Sequence, residues 1–116
     1  MRYAIVGSRR RTDRNTVNSI VATLRPDDVV ISGGCRGVDS WAVDAARQRG
    51  LRVQVITPNL GGCVQRWQFT KAYYASNALV AAACDVLIAL PATDRTGGTE
   101  NTIAHAKTLG KQIVLH

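Results

Sequence analysis

Three short segments carry the residue types that hold phosphate. They are Gly7-Ser8-Arg9-Arg10-Arg11, Ser32-Gly33-Gly34-Cys35-Arg36-Gly37-Val38-Asp39 and Pro91-Ala92-Thr93-Asp94-Arg95-Thr96-Gly97-Gly98-Thr99-Glu100. Glycine lets a backbone come close to a ligand, and a guanidinium engages two phosphate oxygens at once, which lysine cannot do. Arg9 and Arg36 are the cations placed for that task. One glycine-rich turn is a weak signal, since tight strand-to-helix connections need glycine anyway. Three of them on one edge of a sheet would point to a site. The ligand-binding set read here is Gly7, Ser8, Arg9, Ser32, Gly33, Gly34, Arg36, Gly37, Asp39, Asn77, Pro91, Gly97, Gly98, Thr99 and Glu100.

Two carboxylates accompany these segments. Glu100 is the only glutamate in the chain and stands where a helix should begin. It caps that helix, or it faces the ligand, on ribose hydroxyls or as a general acid or base. Asp39 has the same choice, or it holds the backbone of its own loop. Asn77 bonds a ligand or caps its own turn. Trp67, Phe69, Tyr73 and Tyr74, with Arg66 and Lys71, fit a core or subunit interface better than a surface that stacks on bases. Cys35 reads as a small packing residue, and no catalytic residue is assigned.

Alternating elements must position these loops. Tyr3 to Val6, Val29 to Ile31, Val53 to Ile56, Asp85 to Leu90 and Gln112 to Leu115 read as strands. Val17, Ile20, Val21 and Leu24 recur at i, i+3, i+4 and i+7 behind Thr12 or Asp13 as cap, which predicts a helix stopping near Pro26. Val38 to Ala46 gives a second helix closed by Gly50, and Thr99 to Leu109 a last one closed by Gly110. Residues 57 to 69 have no clean period and read as a long loop with room for a helical turn, followed by a helix from about Ala72 to Ala83. Apolar strands alternating with helices imply one α/β domain over 1–116: a Rossmann-like, doubly wound, parallel five-stranded sheet with helices on both faces. Such sheets bind ligands at the carboxyl ends of the strands.

Composition narrows the classes. The 116 residues are 46% hydrophobic, enough for one core and too few for two. Fifteen Lys and Arg against eight Asp and Glu give a net charge of +7, and twelve of those cations are arginine. The charge permits single-stranded nucleic acid as a partner. No apolar run approaches the roughly 20 residues of a membrane helix, and the N-terminus lacks an export signal. Cys35, Cys63 and Cys84 are few and scattered, so no disulfide framework, metal site or cofactor is expected, and the reducing cytoplasm is the compartment that fits. Exposed edges on so small a sheet favour a homo-oligomer.

Taken together, Ile5-Val6-Gly7-Ser8-Arg9, Val30-Ile31-Ser32-Gly33-Gly34-Cys35-Arg36-Gly37-Val38-Asp39 and Thr96-Gly97-Gly98-Thr99-Glu100 resemble the SLOG superfamily of Rossmann-like proteins. That superfamily includes the DNA-processing protein Smf, the LONELY GUY phosphoribohydrolases and small YspA-like proteins, and the chain is most similar to the last group. The resemblance covers essentially the whole chain. It implies binding of a nucleotide or nucleotide-derived ligand, as sensor, sequestering protein or processing factor. Its alternatives are an N-glycosidic-bond hydrolase acting on a nucleoside monophosphate and a single-stranded DNA-binding protein of Smf type. The chain departs from the hydrolases' Pro-Gly-Gly-x-Gly-Thr-x-x-Glu motif, because Glu100 directly follows Thr99 and the position three after Thr99 is Thr102. It also has Ser76-Asn77 where YspA-like chains tend to have Arg-Asn.

Overall fold

The computed structural model describes residues 1–116. Its elements follow one another as β1 (Arg2–Gly7), α1 (Arg14–Ala22), β2 (Val29–Ser32), α2 (Val38–Gln48), β3 (Arg52–Val55), α3 (Arg66–Ala83), β4 (Val86–Leu90), α4 (Gly98–Thr108) and β5 (Gln112–Leu115). The strands form one sheet in the order β3-β2-β1-β4-β5, parallel at every pairing. This is the expected doubly wound Rossmann-like α/β arrangement. Ala4 at the centre of β1 stands beside Ile31 of β2 on one side and Leu87 of β4 on the other.

Side chains alternate across each strand and so feed two cores. On one face Ile5, Val30, Ile88 and Leu90 pack with Val17, Ile20 and Val21 of α1 and Val38, Ala42 and Ala46 of α2. On the other, Ala4, Val6, Ile31, Leu87 and Ala89 pack with Val80 and Ala81 of α3 and Ile103 and Ala106 of α4. Every residue of β4 is buried, which is why its sequence is an unbroken apolar run.

Two helices stop as their glycines predict. At Gly50 (φ +72°) the N–H donates to the Arg47 carbonyl while the Leu51 N–H reaches the Ala46 carbonyl, and Gly110 (φ +69°) repeats the pattern on Lys107 and Ala106. Helix α2 starts at Val38 and α1 is capped at Asp13, both as expected, but the side chains at two helix starts act in ways the spacing does not show. Asp13 occupies the cap position of α1 but bonds no amide there, because its carboxylate takes the Arg11 guanidinium at 2.9 and 2.7 Å. Helix α3 starts at Arg66 and absorbs the last residues of the segment 57 to 69. The Gln68 side chain folds back to accept the Val64 and Gln65 N–H groups, both at 2.7 Å, and that turn begins the helix. No helix is long and apolar enough to cross a membrane.

Candidate functional site

Strand order reverses between β1 and β4: β1 continues through α1 to β2 on one side, while the chain returns through α3 to β4 on the other. The loops leaving these strands diverge there and open a cavity of about 460 Å³. Its wall comprises Gly7 to Arg10 after β1, Gly33, Cys35 and Asp39 around the β2 loop, Tyr73, Tyr74 and Asn77 of α3, and Thr96 to Thr99 with Thr102 at the start of α4. All three glycine-bearing segments therefore meet at one place, as the sheet rule predicts.

The α4 end is built to donate. Gly97, at φ +103°, turns the chain into the helix, and no side chain caps it. The Gly98 and Thr99 N–H groups find no acceptor in the protein, and neither does the Thr99 hydroxyl. Unpaired amides at a helix N-terminus carry a partial positive charge and suit an anion. Asn77 braces this end, with its Nδ2 donating to Asn101 Oδ1 at 3.1 Å and to the Gly98 carbonyl at 3.4 Å.

The three arginines after β1 do different work. Arg11 is taken by Asp13 and the Pro91 carbonyl. Arg10 grips Asp94 through two hydrogen bonds of 2.9 and 2.6 Å and adds one to the Thr96 hydroxyl, which holds Asp94 well below the usual carboxylate range. Arg9 lines the cavity, is exposed, and forms no ion pair.

The β2 loop is organised by Asp39, which is 3% exposed. Its Oδ2 accepts the Gly33 N–H at 3.0 Å and the Cys35 N–H at 3.4 Å, and the Gly7 amide also supports the carboxylate. Burial outweighs these donors and pushes the group up to about 6. Cys35 is half-buried, and burial first, then the Asp39 charge, raise its thiol against the pull of Arg9. That is the setting of an inert thiol rather than a nucleophile.

Of the residues read from sequence, Gly7, Ser8, Arg9, Gly33, Asp39, Asn77, Gly97, Gly98 and Thr99 line the cavity. The others stand outside it. Ser32 is fully buried and its hydroxyl accepts the Gly34 N–H at 3.1 Å. Gly34 and Gly37, at φ +74° and +82°, bend the loop, and this carries Arg36 away to solvent. Pro91 offers its carbonyl to Arg11 at 3.1 Å. Glu100 turns aside to accept Arg95 Nε at 2.9 Å. The sequence did not single out Arg10, Thr96 or Thr102 as site residues. Thr102 was findable, since it lies one turn after Thr99 on the same helix face.

No family model matches the chain, and neither does any curated protein. Among solved structures it is similar to DNA processing protein A (DprA) from Streptococcus pneumoniae, with a TM-score of 0.81 and 20% identity, over 98% of this chain and 49% of that one. The chain thus spans about half the length of that protein, and the likeness is one of fold.

Proposed function

We propose that the chain binds a nucleotide or nucleotide-derived phosphate ligand in this cavity, as the SLOG resemblance implies. The observation that carries the reading is the presence in one cavity wall of two unsatisfied α4 amides, on Gly98 and Thr99, and the one post-β1 arginine that forms no ion pair, Arg9. Phosphate oxygens are the acceptors that both helix-start amides and a guanidinium favour. Binding without turnover is favoured over N-glycoside hydrolysis, because Glu100 is held by Arg95 outside the cavity and the Asp39 carboxylate is occupied by its own loop.

Calorimetric titration with nucleosides and nucleotides tests this. Heat of binding for phosphorylated members, weakened at least about tenfold in Arg9→Ala, supports the reading. No binding of any member overturns it, and release of free base on incubation would move the protein to the hydrolase class.

A second reading, single-stranded DNA binding, rests on a separate observation. No Asp or Glu occurs between Asp44 and Asp85, a stretch that includes Arg47, Arg49, Arg52, Arg66 and Lys71. Within it Trp67 is 64% exposed, as a base-stacking residue needs to be. The structural likeness to a DNA-processing protein is in keeping with this. Its signature is oligonucleotide affinity that falls steeply with salt.

A further inference from the structure

We infer that Thr93 to Gly97 form a strap that opens and closes the cavity, and that Arg10 is its fastening. The strap governs passage into the cavity described above, whichever ligand enters it.

The strap has firm ends and a loose middle. Ala92 before it and Thr99 after it are buried, while Thr93 to Gly98 are all exposed. No side chain of the strap belongs to either core, so apolar burial does not hold it in place. Space lies on both sides of it. Thr96 and Gly97 line the main cavity, and Thr93 and Asp94, with Arg10, Arg11 and Ala92, line a second hollow of about 280 Å³. A partition with space on both sides can swing without disturbing close-packed atoms.

Most hydrogen bonds of the strap are local. The Arg95 N–H donates to the Ala92 carbonyl at 3.0 Å, and the Thr96 N–H and hydroxyl donate to Asp94 Oδ1 at 3.2 and 2.7 Å. Arg95 Nε donates to Glu100 at 2.9 Å. These bonds shape the strap and tie it to α4, the helix it leads into. One side chain from elsewhere in the fold reaches it: Arg10 donates to Asp94 at 2.9 and 2.6 Å and to the Thr96 hydroxyl at 2.9 Å. Arg10 also lines the cavity, so its three bonds join one wall of that cavity to another. Arg10 and Asp94 are both more than half exposed, which keeps the fastening weak and open to screening by salt. The closed form is strained as well. Arg95 is the one non-glycine residue with positive φ, at +57°, two residues before Gly97 at +103°. Release of Arg10 lets that backbone relax.

Cys35 reports the opening. It lines the cavity and is half-buried, whereas Cys63 is half-buried outside the cavity and Cys84 is buried in the core. Labelling of the intact chain with N-ethylmaleimide, read at each site by mass spectrometry, gives the three rates. Asp94→Asn and Arg10→Gln are each expected to raise the Cys35 rate about fivefold, with Cys63 steady and Cys84 unlabelled. A purely electrostatic effect on the thiolate would move the two variants in opposite directions, because one loses a negative charge and the other a positive one. Opposite shifts, or either variant left at the wild-type rate, overturn the strap. If a variant labels at Cys84 and so has lost its fold, the wild-type chain in about 0.05 M and about 1 M sodium chloride decides. A Cys35 rate that rises with salt relative to Cys63 supports the strap, and a constant ratio overturns it. No nucleotide is present in these experiments, so their failure leaves the nucleotide reading standing.

Discussion

Arg10, three residues past the end of β1, closes on Asp94 with Nη1 to Oδ2 at 2.9 Å and Nη2 to Oδ1 at 2.6 Å, across 84 residues of sequence. Its neighbour Arg9 has no such partner. Adjacent arginines are therefore sorted, one holding the loop after β4 and one lining the cavity without an ion pair.

Substitution should reveal that sorting. Arg9→Ala is expected to lower nucleotide affinity at least about tenfold with little change in melting temperature. Asp94→Asn releases Arg10 towards the cavity and is expected to raise affinity for phosphorylated ligands. Calorimetry on the two variants checks both, and equal losses in each would contradict the division of labour.

Asp39 predicts a pH dependence of unusual sign. Its folded value of about 6 lies above the ordinary aspartate value of about 3.9, so between those limits the folded protein keeps a proton that the unfolded chain has released. Stability should then fall as pH rises from about 4 to 6, by roughly 3 kcal/mol at most, and stay flat above. Asp13, held down by Arg11, Asp28, held down by the Arg25 amide, and Asp94, held down by Arg10, act in the opposite sense below that window. Urea denaturation across pH 4 to 7 should show the downward slope in wild type relative to Asp39→Asn.

Gly7 predicts a cost that has nothing to do with ligand. A methyl group there would stand 2.6 to 2.8 Å from Val38 Cγ2, Cβ and Cγ1, at the seat of α2 on β1, where Val38 is fully buried. Gly7→Ala should destabilise the fold by roughly 1–3 kcal/mol, the usual range for overpacking. Chemical denaturation measures it, and a variant as stable as wild type would mean that α2 can lift from the sheet.

Trp67 is expected to be silent in stability and decisive for nucleic acid. Trp67→Ala should change unfolding free energy by no more than about 0.5 kcal/mol, as surface substitutions do. If single strands stack on this face, oligothymidylate quenches Trp67 fluorescence and the alanine variant loses about tenfold in affinity. Unchanged fluorescence at low salt would remove the second reading.

The strand and helix order, the face-to-face alternation and the meeting of three loops were all legible in sequence, because apolar period and glycine placement are local signals. The entry to α3 was not, since it depends on one side chain, Gln68, bending back on Val64 and Gln65. Placement in the cavity wall was not legible where side-chain direction mattered. Arg36 and Glu100 have the right chemistry and the right neighbours in sequence, yet positive φ at Gly34 and Gly37 sends one to solvent and Arg95 draws the other aside. Asp39 was left between two roles, and its burial against the Gly33 and Cys35 amides identifies a structural one, on a residue that also forms part of the wall.

The central position of β1 has a consequence for the order of events in time. Its partners β2 and β4 come from opposite halves of the chain, and the wall of the cavity needs residues from 6 to 102. During synthesis the cavity cannot exist until α4 has emerged and β4 has paired, however early the first three strands assemble. On the proposed nucleotide reading, occupancy reports completed folding, and a bound molecule would resist unfolding of the whole sheet rather than of one loop.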